Sequence, residues 1–187
     1  ALILFSTVAF SQLENVDLLR TVPADGFNFI QAYVTPWVNA FGAGLNGSWY
    51  NTAKPHKFGG FDVTLGMNMG IVPSSAETFD IASQGFSSAL SFDQATSPTI
   101  AGSKNPNPQT HGTYTESGTV LASFVTPEGT AWRYIPVPTL QVGIGLPLGT
   151  EIKGRFIPKL NIKGGDIMLW GVGLMHSITQ YLPGEKL

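Results

Sequence analysis

A glycine-rich stretch at residues 42–47, GAGLNG, fits the fingerprint of dinucleotide-binding proteins. In that motif a strand precedes the glycines and a helix follows them, so that the pyrophosphate lies at the helix N-terminus. Here Pro36 disfavours a buried parallel strand before the glycines, and Gly59 and Gly60 interrupt a helix after them. The alternation of large and small residues over 41–50 instead predicts a strand, so no nucleotide cofactor is expected.

The chain has three histidines, His56, His111 and His176, and no cysteine. No histidine has a second histidine or a carboxylate at the spacing of a metal-binding motif. Ser117 is not preceded and followed by the glycines of a nucleophile elbow. The sequence therefore predicts no metal, no cofactor and no enzymatic activity.

The segment EIKGRF places Glu151, Lys153 and Arg155 at alternate positions, which puts them on one face of a strand. On a membrane strand these charges must face a polar lumen, because a lysine or arginine facing lipid costs about 2–4 kcal/mol at the bilayer midplane. The alternative is that they lie in water at a strand end. The predicted lumen-lining residues are Asp62, Asn68, Gln141, Glu151, Lys153 and Arg155.

The elements that would position these residues have a period of two. Apolar and polar or small residues alternate without an error over 61–71, and similar patterns follow later in the chain. The predicted strands lie at 61–71, 119–125, 139–149, 151–163 and 166–181. In the last of these the phase changes near Leu169–Trp170, which predicts a β-bulge.

A helix of roughly 25–40, in one or two pieces, is predicted before the strands. Phe27, Ile30, Val34 and Trp37 recur at helical spacing, Asp25 is a candidate N-cap, and Pro36 is expected to break or kink the helix. We interpret this segment as a plug inside a barrel. The alternative is a helix that packs on the sheet of a soluble α+β protein.

The order of these segments predicts the domain organisation. The apolar run ALILFSTVAFSQ ends in small residues, as a secretory signal does. It predicts a signal peptide at 1–11 whose basic start is missing. The alternative is a buried strand. Residues 12–40 form the plug segment. Residues 41–187 form the barrel strands, with a long loop at about 73–116 and a truncated C-terminal end.

Strand length favours a membrane protein. Several predicted strands reach ten or more residues, close to the ~9–11 of a tilted membrane strand and longer than the ~5–6 of soluble strands.

The 12% share of charged residues and the net charge of −2 argue against nucleic-acid binding. The aromatic residues expected near strand ends, as a girdle, are Trp49, Trp132, Tyr134, Trp170 and Tyr181. The predicted fold class is all-β, an antiparallel transmembrane β-barrel that is partial in this chain, with a short N-terminal helical plug.

Residues 16–73, together with LWGVGLMHSITQYLPG at 169–184, resemble uncharacterised outer-membrane β-barrel proteins of Bacteroidota. Those proteins are distantly similar to the FadL-type long-chain fatty-acid transporters. The resemblance implies a helical plug inside a barrel and the binding or passage of hydrophobic molecules such as fatty acids. No FadL-type ligand contact maps onto a residue of this chain.

Three functions remain open at this point. The first is an outer-membrane barrel that binds or transports a hydrophobic small molecule. The second is a structural or accessory barrel subunit of an envelope complex, with the loop at 73–116 contacting the partner protein. The third is a soluble secreted protein that binds lipid inside a β-structure. The expected location is the outer membrane, and the expected partners are its lipid, a hydrophobic ligand and an envelope protein.

Overall fold

The computed structural model describes residues 23–162 and 165–181. Within these residues the chain forms one α-helix, α1 (Pro23–Asn46), and nine strands in three antiparallel sheets. The strands are β1 (Phe61–Ile71), β2 (Thr78–Asp80), β3 (Leu90–Phe92), β4 (Thr96–Pro98), β5 (His111–Glu116), β6 (Thr119–Val125), β7 (Tyr134–Leu146), β8 (Thr150–Ile162) and β9 (Gly165–His176). In this part of the chain no sheet closes into a barrel. The predicted signal peptide and residues 12–22 of the plug segment lie outside the described residues.

The four long strands form the main sheet, in the order β1-β7-β8-β9. β2 pairs with β4, and β3, β5 and β6 form a third sheet. The predicted loop at 73–116 therefore contains short strands and two 3-10 turns, because its backbone pairs with itself in these small sheets. The mainly β, antiparallel character of the predicted fold is confirmed.

The main sheet is apolar on the face that is exposed. Leu65 is 83% exposed, Met67 66% and Trp170 78%, and their neighbours on this face are also apolar. No Asp, Glu, Lys or Arg occupies an outward position within 61–71, 134–146, 150–158 or 168–174. The opposite face carries the polar and charged residues and is covered. This arrangement is the reverse of a soluble sheet, whose apolar face is buried.

A β-bulge interrupts the pairing of β8 with β9. Ile157 is opposite Leu169 and Leu160 is opposite Ile167, so β8 has one residue more than β9 at this point. The sequence predicts the bulge on β9, near Leu169–Trp170. The structure has the extra residue on the paired strand β8 instead, between Ile157 and Leu160. Pro158 gives the reason, because it has no N–H to donate to a ladder and is tolerated at a bulge.

α1 is longer than the sequence predicted and runs through Pro36 without ending. The strand predicted at 41–50 is wrong, because residues 41–46 continue the helix: Phe41 packs with Val137 and Ile157 of the main sheet. Asp25 is not the N-cap but lies in the first turn, where its carboxylate accepts hydrogen bonds from Ser87. Tertiary packing at both ends outweighs the helix-breaking tendency of proline.

The N-terminal half of α1 packs on the small sheets and not on the main sheet. Phe29 and Tyr33 are buried with Phe79, Leu90 and Phe124 in an aromatic cluster. The helix therefore contributes to three buried clusters, one with Phe29 and Tyr33 before Pro36 and two with Ala40 and Phe41 after it. No helix within the described residues is long and apolar enough to span a membrane.

A close approach of α1 to β1 yields a first prediction. A Cβ at Gly70 of β1 would overlap the carbonyl group of Ala40 of α1. A Cβ at Gly42, which is also on α1, would meet nothing within 4 Å. Gly70→Ala should lower the free energy of unfolding by about 1–3 kcal/mol, as overpacking does. Gly42→Ala should raise it by roughly 0.5–1 kcal/mol, because alanine favours the helix. Denaturant unfolding followed by circular dichroism measures both, and equal effects would contradict the packing of α1 on β1.

Candidate functional site

The polar face of the main sheet is covered by the end of α1 and by residues 47–58, which we call the cover segment. The structure brings all six predicted lumen-lining residues to this face. Gln141, Glu151, Lys153 and Arg155 are buried there. Asp62 and Asn68 are partly buried on the neighbouring strand β1. Their common face follows from strand alternation, and their burial follows from the cover segment.

Arg155 is the centre of the contacts between sheet and cover. Its Nη1 donates to the carbonyl oxygens of Leu45 at 2.8 Å and Gly47 at 2.7 Å. Its Nε and Nη2 donate to Gln141 Oε1 at 3.1 and 2.8 Å. The guanidinium also lies 4.1 Å from the centre of the Trp49 ring. A buried cation at the C-terminal end of α1 satisfies carbonyl groups that a helix end leaves unpaired and complements the helix dipole.

Other polar residues of the sheet also hold the cover segment. Gln141 Nε2 donates to the Trp49 carbonyl at 3.2 Å. Asn68 Oδ1 accepts from Ser48 Oγ at 2.7 Å, and Asn68 Nδ2 donates to the Gly47 carbonyl at 3.3 Å. Side chains of the polar face therefore form hydrogen bonds to the backbone of the cover segment, and this part of the face is not open to water.

A second group of charges surrounds Glu151, which is fully buried. Its Oε2 accepts a hydrogen bond from the backbone N–H of His56 at 2.8 Å and lies 3.0 Å from His56 Nδ1. Lys153 Nζ lies 2.8 Å from Glu151 Oε1 and 5.8 Å from the centre of the Tyr50 ring. Asp62 Oδ1 lies 3.6 Å from His56 Nδ1. The cluster thus joins the cover segment to β1 and β8.

The four predicted plug residues lie away from this polar face. Phe27 is 60% exposed. Ile30, Val34 and Trp37 pack against the aromatic cluster of the small sheets, and Trp37 Nε1 donates to the Trp132 carbonyl at 2.9 Å. The part of α1 that reaches the covered face of the sheet is its last two turns, with Ala40, Phe41, Gly44 and Leu45. The assignment of residues 12–40 as a plug stays a prediction.

Sequence reasoning missed three residues of the cover segment. The sequence predicts no ligand partner for His56, and it assigns Trp49 to an aromatic girdle although Trp49 packs on Arg155. Tyr50 Oη donates to the Leu174 carbonyl at 3.0 Å and was not singled out. No local pattern reveals these contacts, because the partners lie far apart in sequence. Trp170, also assigned to the girdle, lies in the middle of β9.

A cleft of about 740 Å³ opens beside the cover segment at the end of β9. Tyr50, Leu174, Met175 and Ile178 give it a largely apolar lining, with Asn51, Thr52, Ser177 and Thr179 among the polar groups. Its volume lies within the roughly 300–1,000 Å³ of small-molecule sites.

A second imidazole–carboxylate pair lies on the small sheets, far from the polar face. His111 Nδ1 is 2.9 Å from Asp93 Oδ2. The backbone N–H of His111 donates to the Asp93 carboxylate, and this hydrogen bond holds the pKa of Asp93 below its usual value. No third ligand group joins this pair within the described residues.

These features define a class of antiparallel β protein in which a helix and its following segment cover the charged face of a long-stranded sheet. A family model described as "Family of unknown function (DUF6588)" matches residues 1–187, and the chain belongs to this family. No curated protein and no solved structure matches the chain.

Proposed function

We propose that this chain belongs to an outer-membrane β-barrel that binds a hydrophobic small molecule, such as a fatty acid, beside an internal plug. In this proposal the four long strands cross the bilayer with their apolar face towards lipid. The end of α1 and the cover segment occupy the lumen. The observation that carries the proposal is the reversed polarity of the main sheet, which is apolar and exposed on one side and charged and buried on the other.

The outer face supports contact with lipid. A soluble protein rarely leaves a contiguous apolar surface of this kind in water, whereas a barrel strand alternates between apolar residues outside and polar residues inside. The strands β1, β7, β8 and β9 have 11, 13, 13 and 12 residues, sufficient for a tilted membrane strand. Lipid does not tolerate unpaired strand edges, so the proposal requires further strands to pair with the outer edges of β1 and β9.

The cleft at the end of β9 supports the binding of a hydrophobic molecule. Its apolar lining from Met175 and Ile178 suits an alkyl chain, and the nearby Asn51 and Thr52 offer polar groups for a headgroup. The cleft adjoins Tyr50 of the cover segment, so a ligand bound there would contact the plug directly. A transport role would require the cover segment to move away from Arg155.

Location and closure of the barrel can be tested together. The complete gene product should be expressed in a Gram-negative host and the envelope fractionated. The outer-membrane fraction is then run on SDS gels with and without boiling. We expect protein in the outer membrane whose mobility changes on boiling, as for a closed barrel. Soluble protein with no heat-dependent change would contradict the membrane proposal and favour the secreted lipid-binding alternative.

Ligand binding is tested with a fluorescent long-chain fatty acid added to the purified protein in detergent. Ile178→Glu should weaken binding of this probe, because it places a charge in the apolar cleft. Val120→Glu, on exposed β6, is the matched control and should bind like the wild type. A heat-modifiable protein that binds no probe, and that copurifies with other envelope proteins, would instead favour the accessory-subunit alternative.

A further inference from the structure

The strongest unassigned feature is the meeting of three ligand-type side chains from different parts of the chain. His56 comes from the cover segment, Asp62 from β1 and Glu151 from β8. Their Nδ1, Oδ1 and carboxylate oxygen atoms all lie within 4.8 Å of one another. In the strand order β1-β7-β8, Asp62 lies opposite Gly143 of β7 and Glu151 lies opposite Gly145, two residues further along the same face.

One oxygen in this cluster, Asp62 Oδ1, is shielded from solvent and accepts no hydrogen bond. The Lys153 ammonium lies 2.8 Å from Glu151 Oε1 and pairs with that carboxylate, whereas Asp62 Oδ1 has no donor. Buried carboxylate oxygens without a donor are costly, so such a site favours a cation that can supply the missing interaction. Two carboxylates face one ammonium here, which leaves the cluster with an excess of negative charge.

The backbone of β7 lets the two carboxylates approach the same point from two strands. A Cβ at residue 143 would overlap Asp62 Oδ1 and approach Glu151 Oε1 to 2.7 Å. Only glycine at this position allows both oxygens to point into the same space. The site also has a route from solvent, because the side chains of His56 and Asp62 are 35% and 26% exposed.

We propose that His56, Asp62 and Glu151 bind a divalent first-row transition-metal ion of the Zn²⁺ class. Imidazole nitrogen and carboxylate oxygen are ordinary Zn²⁺ ligands, and three protein ligands leave a fourth position for water or another group. In a tetrahedral site with ligands at ~2.0–2.1 Å the donor atoms lie roughly 3.3 Å apart. The distances of 3.0 and 3.6 Å from His56 Nδ1 to Glu151 Oε2 and Asp62 Oδ1 are close to that value.

The donor set disfavours the hard cations. Ca²⁺ takes six to eight oxygen ligands and Mg²⁺ prefers an oxygen octahedron with several waters, whereas this site offers an imidazole and few oxygens. A bound transition-metal ion would link the cover segment to β1 and β8. Its expected effect is therefore to hold the cover segment on the polar face.

The experiment uses the complete, untagged gene product, purified in detergent as for the fatty-acid assay, after removal of metal by a chelator. Zn²⁺ is titrated into it by calorimetry, and thermal unfolding is measured with and without Zn²⁺. We expect one Zn²⁺ per chain and a rise in melting temperature, because a ligand that binds only the native state stabilises it. Ca²⁺ at the same concentration should produce neither effect.

Two variants, at Asp62 and His56, test the site without unfolding the protein. Both side chains are partly exposed, and neither substitution leaves a buried charge without its partner. Asp62→Asn and His56→Gln should each weaken Zn²⁺ binding by tenfold or more and abolish the rise in melting temperature. The matched control is His111→Gln, which removes an imidazole that also pairs with a carboxylate, at 2.9 Å from Asp93, but has no third ligand. It should bind Zn²⁺ like the wild type. The proposal is wrong if the wild type binds no Zn²⁺, or if Asp62→Asn and His56→Gln bind it as tightly as the wild type.

Discussion

Leu65→Arg should remove the protein from the outer membrane almost completely. Leu65 lies near the middle of β1 on the exposed apolar face and is 83% exposed. If this face contacts lipid, an arginine there costs about 2–4 kcal/mol at the bilayer midplane, a large part of the total stability of a domain. The measurement is the amount of heat-modifiable protein in the outer-membrane fraction, relative to the wild type.

The matched control for this variant is Val120→Arg on β6. Val120 is also an exposed aliphatic residue, at 61%, but it belongs to the small sheets and not to the main sheet. Its substitution should leave the heat-modifiable band unchanged. The opposite result for Leu65→Arg, a soluble and equally stable protein, would mean that the apolar face does not contact lipid, because an exposed arginine in water is not destabilising.

Arg155→Met should destabilise the folded protein by about 2–5 kcal/mol, because buried neutral acceptors lose their donor. Methionine fills a similar volume but donates no hydrogen bond. The Leu45 carbonyl and Gln141 Oε1 would then lose their donor, and each unsatisfied group costs about 1–3 kcal/mol. The Gly47 carbonyl would keep the hydrogen bond from Asn68 Nδ2. Urea unfolding of the purified protein measures this loss.

Arg133→Met is the control for the arginine substitution. Arg133 also donates to a backbone carbonyl, that of Val72, and pairs with Glu77, but its side chain is 38% exposed. Its loss should cost roughly 1 kcal/mol or less, as for other exposed ion pairs. Protease digestion adds a second readout, because Arg155→Met should expose the cover segment to cleavage and Arg133→Met should not. Equal stability of the two variants would contradict the role of Arg155 in holding the cover.

Much of the main sheet could be predicted from the sequence. The alternation over 61–71 is confirmed residue by residue, and the strands predicted at 139–149 and 151–163 overlap β7 and β8. The alternation also predicted that Glu151, Lys153 and Arg155 share a face. The direction of a side chain along a strand is a local property, since successive residues point to opposite faces wherever the strand lies. The family to which the chain belongs also follows from sequence.

Tertiary structure decided what those faces contact. Residues 41–46 alternate like a strand, but they are helical because Phe41 and Leu45 pack on Val137, Ile157 and Leu169 of the main sheet. The bulge lies on β8 because the pairing of two strands, and not the phase of one, determines which strand contains the extra residue.

The cluster around Glu151 depends most on the tertiary structure. His56 is 95 residues from Glu151 in sequence, and its neighbours read as an ordinary turn. Only the order and register of β1, β7 and β8 bring Asp62 and Glu151 together beside Gly143 and place His56 against both. The sequence by itself determined which residues point inward, because that depends on the backbone of each strand alone. It could not determine which inward residues meet, because that depends on strand pairing and on the packing of the helix and its cover segment across the whole chain.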